Sequence, residues 1–76
     1  MTDSKLEINK FGDKRWRNSK GYLHRENGPA VIYADGEMRW YVNGTLNRFD
    51  GPSIIYNDGN NCWYLDDYCI RTFLYD

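Results

Sequence analysis

The sequence contains two adjacent copies of one unit. Residues 21–42 align without gaps on residues 44–65, an offset of 23 residues, and 11 of the 22 aligned positions are identical. Half identity over a whole unit is far above chance. A tandem unit of this length restricts the chain to architectures in which each copy adds the same piece of secondary structure to its neighbour.

Shorter copies flank this pair. Gly12 and Trp16 keep the four-residue step that separates Gly36 from Trp40, and Arg71 continues the spacing of the arginines in the two full copies. A chain of 76 residues has room for one core. We therefore expect one domain, residues 1–76, with these parts: an N-terminal edge strand or flexible segment (1–10), a degraded copy (11–20), two full copies (21–43 and 44–66) and a truncated copy (67–76).

The unit predicts β-hairpins and not a helix. Its apolar residues come in short runs rich in β-branched and aromatic types, and these runs are separated by turn dipeptides. Asp35-Gly36, Asn43-Gly44 and Asp58-Gly59 are favoured sequences for two-residue hairpin turns. We expect an all-β fold: an antiparallel meander of about seven short strands built from tandem hairpin repeats of about 23 residues, with little or no helix.

Two-residue turns would fix the register and therefore the two faces of the sheet. Val31 would lie opposite Trp40, and Tyr33 opposite Met38. One face would then collect the apolar side chains of Val31, Tyr33, Met38, Trp40 and Val42 in the first copy, and of Ile54, Tyr56, Trp63, Leu65, Tyr68 and Ile70 after it. Aromatic residues outnumber Val, Leu and Ile by 13 to 12, so we expect them to carry the core, with a protein-contact role as the alternative for the tryptophans.

The opposite face would carry arginines among tyrosines, and the register would set Arg39 against Arg48. We predict that it binds a partner or ligand through Arg25, Arg39, Tyr41, Arg48, Tyr64 and Arg71. Two interpretations stay open. Carboxylates such as Glu26 or Asp50 neutralise the arginines, or the guanidiniums and tyrosine rings hold a nucleotide or an acidic patch on a protein.

Charge and composition exclude several classes of function. The net charge of −1 disfavours nonspecific binding to nucleic acids, and no apolar stretch is long enough for a membrane span or a secretory signal. We therefore expect a soluble, cytoplasmic protein. The single histidine, His24, gives no paired metal site and no evident catalytic base, so we expect neither an enzyme nor a cofactor. Cys62 and Cys69 would lie diagonally across a hairpin, which predicts two free thiols.

The full copies resemble a known class of repeat. Residues 23–30, Leu-His-Arg-Glu-Asn-Gly-Pro-Ala, and residues 46–53, Leu-Asn-Arg-Phe-Asp-Gly-Pro-Ser, are each followed by an Asp-Gly turn and a Trp-Tyr pair. This pattern is similar to the β-hairpin repeats of MORN and YwqK-like proteins, and most of all to the His-Arg-x-Asp-Gly-Pro-Ala variant of small phage and large-virus proteins. The resemblance spans about residues 11–71. It implies an interaction scaffold without catalytic residues, encoded by a phage or a similar genome.

These observations predict a protein-binding module, acting as an inhibitor or modulator of a host defence complex in the host cytoplasm. The alternative is a sponge that sequesters a small anionic or nucleotide ligand. A structural part in a virion is a third option. The expected partners are a host protein or protein complex, a second copy in a homodimer, or a small nucleotide, and no membrane.

Overall fold

The computed structural model describes residues 4–65 and 68–73, with side chains described as far as Trp63. The strands are β1 (Lys5–Ile8), β2 (Lys14–Arg17), β3 (Val31–Ile32), β4 (Met38–Arg39), β5 (Tyr41–Val42), β6 (Thr45–Leu46), β7 (Ile54–Ile55), β8 (Asn61–Leu65) and β9 (Tyr68–Phe73). The residues that the structure describes form no helix. The prediction of an all-β antiparallel meander is confirmed. None of these residues belongs to a helix long and apolar enough to cross a membrane.

One sheet contains most of the strands. Its order is β1-β2-β3-β4-β7-β8-β9, so that the chain adds each strand beside the preceding one. The exception is the hairpin of β5 and β6, which forms a separate two-stranded ribbon between β4 and β7. All neighbouring strands that the structure describes pair antiparallel. The β5–β6 excursion is what carries residues of the second copy back over the sheet.

Most of the tight connections are three-residue loops. At residues 34–36, the Tyr33 amide donates to the Glu37 carbonyl at 2.8 Å and the Gly36 amide donates to the Tyr33 carbonyl at 3.0 Å. Gly36 has a φ of 99°, as required by a type I turn that ends in a left-handed residue. The same pattern of bonds and a positive-φ glycine recurs at residues 10–12, 19–21 and 57–59.

The extra loop residue shifts the register by one. Val31 lies opposite Arg39 and Ile32 opposite Met38, so the predicted pairs of Val31 with Trp40 and of Tyr33 with Met38 are wrong. A one-residue slip moves side chains to the other face. Arg39 lies between Val31 and Ile54, so its predicted pairing with Arg48 is also wrong.

A row of alternating large and small side chains crosses the sheet as a result. The Trp16 amide donates to the Ala30 carbonyl, and the Trp40 amide to the Ser53 carbonyl, each at 2.8 Å. Continuing the register by one residue from these strand pairs gives the row Trp16, Ala30, Trp40, Ser53 and Trp63. Ala30 and Ser53 are fully buried. The tryptophans therefore share one face, with small residues between them.

Apart from Ala30, the buried apolar side chains lie on the opposite face. Val31, Ile54 and Cys62 are buried, and they lie in one row because Val31 and Ile54 flank Arg39 and Ile54 pairs with Cys62. The tryptophans are only half-buried. Aliphatic residues thus contribute more to the buried core than the composition predicts.

The Asn43-Gly44 turn follows the sequence prediction. Both residues have positive φ, 50° and 84°, as a two-residue type I′ turn requires, and Val42 lies opposite Thr45 as expected. The equivalent loop of the preceding copy has three residues, 19–21. This difference accounts for a difference in spacing, because Gly21 follows Trp16 by five residues and Gly44 follows Trp40 by four.

Cys62 takes part in a disulfide bond, so the prediction of two free thiols is wrong. That prediction assumed an uninterrupted ladder between β8 and β9, with Cys62 opposite Arg71. A register shift between Trp63 and Tyr64 instead sets Cys62 opposite Thr72. A β-bulge bends and twists its strand, and this change invalidates the diagonal spacing estimated for a regular ladder.

Candidate partner-binding cleft

Two arginines stack on two tryptophans in the same way. The Arg25 Cζ lies 3.8 Å from the ring centroid of Trp16, and the Arg48 Cζ lies 3.9 Å from that of Trp40. In each case the chain leaves the tryptophan, reverses in a tight turn and returns with the arginine over the ring. A guanidinium at this distance is attracted by the negative face of the indole.

A Gly-Pro segment holds each guanidinium from the other side. Arg25 Nη1 donates to the Pro29 carbonyl at 3.2 Å, and Arg48 Nη1 donates to the Pro52 carbonyl at 3.1 Å. A Cβ added at Gly51 would lie 2.7 Å from the Arg48 Cζ, closer than atoms can approach without movement. Glycine is therefore required for the close approach of backbone and guanidinium.

A cleft of about 750 Å³ lies beside the second stack, between the turns that follow the two arginines. The first copy contributes one wall and the Trp40 ring, and the second copy contributes the other wall. The lining residues are Arg25, Glu26, Asn27, Gly28, Trp40, Val42, Asn47, Arg48, Phe49 and Asp50. The repeat thus creates a cleft that a single copy could not form.

The charges in this cleft are balanced. Two guanidiniums, from Arg25 and Arg48, face two carboxylates, from Glu26 and Asp50. Arg48 Nε donates to Asp50 Oδ1 at 3.2 Å. Because Asp50 is highly exposed, this ion pair contributes little to stability. It does, however, leave the cleft without a net positive charge.

Two further side chains that line the cleft differ in exposure. Phe49 is 97% exposed at its rim. Asn47 Oδ1 is buried and has no hydrogen-bond partner among the described residues. Phe49 therefore offers a large apolar ring for contact, whereas the Asn47 oxygen is enclosed by the protein.

The structure brings only part of the predicted binding set to this cleft. Arg25 and Arg48 line it. Arg39 lies on the sheet face opposite the tryptophan row, where its Nε donates to Glu37 Oε2 at 2.7 Å and its Cζ lies 5.7 Å from the Tyr33 ring centroid. The side chains of Tyr64 and Arg71 lie outside the described residues.

Arg39 and Tyr41 belong to a local network. Partial burial of the Arg39 guanidinium disfavours its charge, but hydrogen bonds with Glu37 and Tyr41, together with the Glu37 charge, outweigh this effect and raise the pKa of Arg39 above its ordinary value. Arg15 approaches the same Tyr33 ring at 5.6 Å. Arg39 is therefore held charged within the sheet and is not part of the cleft.

Sequence reasoning did not identify Asn47, Phe49 or Trp40 as neighbours in one site. The available signal was a difference between the copies: Glu26 and Phe49 occupy equivalent positions in the repeat. A phenylalanine in place of a charged residue changes the chemistry of an otherwise repeated turn. Comparing the copies for their differences as well as for their identities would have singled out this position.

His24 has a structural environment. Its Nδ1 accepts a hydrogen bond from the Asn43 amide at 3.0 Å, and its Nε2 lies 3.7 Å from Glu26 Oε2. The ring is buried, so it satisfies a backbone donor in the type I′ turn. Within the described part of the chain, no group of three or more His, Cys, Asp and Glu residues could hold a metal ion.

A scan against protein-family models, a search of curated proteins and a search of solved structures each found no match to this chain.

Proposed function

We propose that this protein is a non-enzymatic protein-binding module that holds its partner at the cleft between the two copies. The observation that carries the proposal is Phe49, which is 97% exposed beside a cleft of about 750 Å³. Large aromatic residues next to a concave surface are typical anchors of protein contacts. An aromatic ring left in water has no stabilising role in the free protein.

The charge balance of the cleft favours a protein partner over the alternative of an anionic ligand. Both guanidiniums already stack on indoles and donate to proline carbonyls. A nucleotide phosphate would approach the carboxylates of Glu26 and Asp50 as well as the guanidiniums. An anion sponge needs an excess of positive charge at its site, and here the two signs cancel.

The chemistry of the cleft describes the contact that the partner would make. Phe49 would pack against apolar side chains of the partner. An exposed apolar segment of the partner fits this feature.

The resemblance to small phage proteins gives the proposal its finer form. In this form the partner is a host protein or complex of an immune defence, the effect is inhibition or modulation, and the place of action is the host cytoplasm. No cofactor is needed for this activity, because binding alone blocks or alters the partner.

A quantitative pull-down from the native or infected cell tests the proposal. Phe49→Asp should reduce capture of the partner, and affinity measured with the purified partner should fall roughly 30-fold, as for a hot-spot residue of at least about 2 kcal/mol. Phe11→Asp is the matched control, since Phe11 is also an exposed loop phenylalanine, 69% exposed, but does not line the cleft.

Three results would count against this function. Equal loss with both variants would indicate a nonspecific effect of exposed aromatics. Unchanged capture with Phe49→Asp would exclude the cleft as the contact surface. A rise in melting temperature with millimolar nucleotide, abolished by Arg48→Ala, would favour the ligand-sequestering alternative.

A further inference from the structure

The N-terminal edge of the sheet is an open strand. β1 is the terminal strand of the main sheet and, among the strands that the structure describes, pairs only with β2. Every residue of β1 is exposed, including Leu6 at 48% and Ile8 at 60%. A strand of this kind presents unpaired backbone groups and apolar side chains to any chain that can add to the sheet.

The hydrogen bonds of the first loop determine which backbone groups of β1 point outward. The Asn9 amide donates to the Asp13 carbonyl, and the Gly12 amide donates to the Asn9 carbonyl. Asn9 therefore directs both of its backbone groups towards β2. Because this direction alternates along an antiparallel strand, Glu7 and Lys5 also face β2, and Leu6 and Ile8 direct their amides and carbonyls away from it. The hydrogen bond from the Trp16 amide to the Ala30 carbonyl lies on the other side of β2, away from β1, and agrees with this alternation.

We propose that a second copy of this chain pairs with this edge, antiparallel, about a two-fold axis at Leu6. In this register Leu6 of each copy exchanges both backbone hydrogen bonds with Leu6 of the other. Lys5 of each copy then lies opposite Glu7 of the second copy. The main sheets of the two copies become one continuous sheet, and this assembly is independent of the cleft and of its proposed partner.

The charges select this register over its neighbour. A two-fold axis at Glu7 would also pair outward-facing residues, Leu6 with Ile8, but it would set two Glu7 carboxylates directly opposite each other. Like charges at opposing positions destabilise a sheet, whereas opposite charges stabilise it. An axis at Leu6 gives two Lys5–Glu7 pairs in place of the repulsion, and these lie at positions without backbone hydrogen bonds, where side chains approach most closely.

The side-chain environment permits these pairs. Glu7 forms an ion pair with Arg17 at 3.1 Å but remains 58% exposed, so its carboxylate has room for a second cation. On the other face, the two Leu6 side chains would meet beside Trp16, since Leu6 lies opposite Trp16 in the ladder between β1 and β2. The pairing would cover apolar surface that each single chain leaves in water.

Sedimentation equilibrium over a wide concentration series tests the proposal. The wild-type chain should dimerise reversibly. Lys5→Glu places a second carboxylate opposite each Glu7, so that two repulsions replace two attractions and the dimer dissociation constant should rise on the order of tenfold or more. Glu7→Lys should weaken the dimer in the same way by creating two lysine pairs.

Mixing the two charge variants provides the decisive measurement. A Lys5→Glu chain and a Glu7→Lys chain are complementary at both positions, so their mixture should form a heterodimer although each variant alone is weakened. If Glu7→Lys does not fold because it loses the ion pair between Glu7 and Arg17, Leu6→Lys gives a second test. Two lysines at the axis should prevent dimerisation, and the melting curve should show that the monomer stays folded. A wild-type chain that remains monomeric, a Lys5→Glu dimer of unchanged affinity, or a mixture without heterodimer would overturn the proposal.

Discussion

The stack of Arg25 on Trp16 and the stack of Arg48 on Trp40 have the same holding groups and different surroundings. Each guanidinium lies on an indole and donates to a proline carbonyl. Around the first stack the chain has His24, Glu26 and Asn27, and around the second it has Asn47, Phe49 and Asp50. Shared residues, namely Arg25, Gly28, Trp40 and Arg48, line the cleft together with residues that differ between the copies. Identity between the copies therefore builds the repeated stack, and divergence makes the two walls of the cleft unequal.

The largest expected effect is a loss of stability that differs between Trp40→Ala and Trp16→Ala. Trp40 lies between the fully buried Ala30 and Ser53, whereas Trp16 has Ala30 on one side and the half-exposed Leu6 on the other. Trp40→Ala should reduce the free energy of unfolding by about 3 kcal/mol, the lower end of the range for such truncations, and Trp16→Ala should cost less. Urea denaturation measures both. An equal or larger loss for Trp16→Ala would show that the central position of Trp40 has no energetic weight.

A second comparison concerns His24 and Asn47, which occupy equivalent positions. His24→Ala would leave the Asn43 amide without its acceptor in a part-buried place, which should cost about 1 kcal/mol, the lower end of the range for an unsatisfied buried group. Asn47→Ala removes an oxygen that has no partner and should cost less. Thermal melts of the two variants give the difference. Equal destabilisation would mean that the bond from Asn43 to His24 is not what distinguishes the copies.

The glycines beneath the guanidiniums allow a finer comparison. A Cβ at Gly51 would meet the Arg48 Cζ at 2.7 Å, and a Cβ at Gly28 would meet the Arg25 Cζ at 3.3 Å. Because an arginine side chain can move, Gly51→Ala should displace Arg48 from Trp40 and cost about 1–2 kcal/mol through the lost stack and hydrogen bond. Gly28→Ala should be milder. A displaced Arg48 should also change the fluorescence of Trp40, and equal effects at both glycines would contradict the difference in fit.

The smallest expected effect is on the acid dependence of stability, through the hydrogen bond that joins Asp13 to the Ala34 amide. Asp13 accepts hydrogen bonds from Asn9 Nδ2 and from the Ala34 amide, and these lower the pKa of Asp13 below its ordinary value of 3.8. A lowered pKa in the folded state adds stability above the ordinary value and loses it as the pH falls through the folded value. Asp13→Asn should therefore make the melting temperature less sensitive to acid below about pH 4. An unchanged acid dependence would contradict this role.

The sequence predicted the strands better than it predicted the register. The type I′ turn at Asn43-Gly44 follows directly, because asparagine and glycine both tolerate positive φ. Asp35-Gly36 is compatible with two loops, and the choice depends on whether Asp35 or only Gly36 adopts positive φ. The structure uses the longer loop, with Gly36 alone in the left-handed region. The Asp-Gly dipeptide alone does not determine the length of the loop. The alternation of tryptophans and small residues does, because only the longer loop sets them side by side.

The candidate site was harder to predict, because its parts come from two copies through tertiary packing. The spacing of Arg25 and Arg48 indicated a repeated role, and both do line the cleft. Trp40 was assigned to the face opposite Arg48, because the hairpin between them was treated as part of one regular sheet, whereas β5 and β6 form a separate ribbon. The exposure of Phe49 depends on how the two turns lie in space, and local sequence carries no information on that arrangement.

The alternation of indole and small side chain across the sheet makes the architecture modular. Every tryptophan in the row receives its spacer from the Gly-Pro segment of a unit, so an inserted 23-residue module would bring both its own indole and its own spacer. Lengthening the array would then multiply the number of grooves between modules without redesigning the sheet. The fold could therefore be extended by adding repeats within one chain, and the number of binding clefts would rise with the number of repeats.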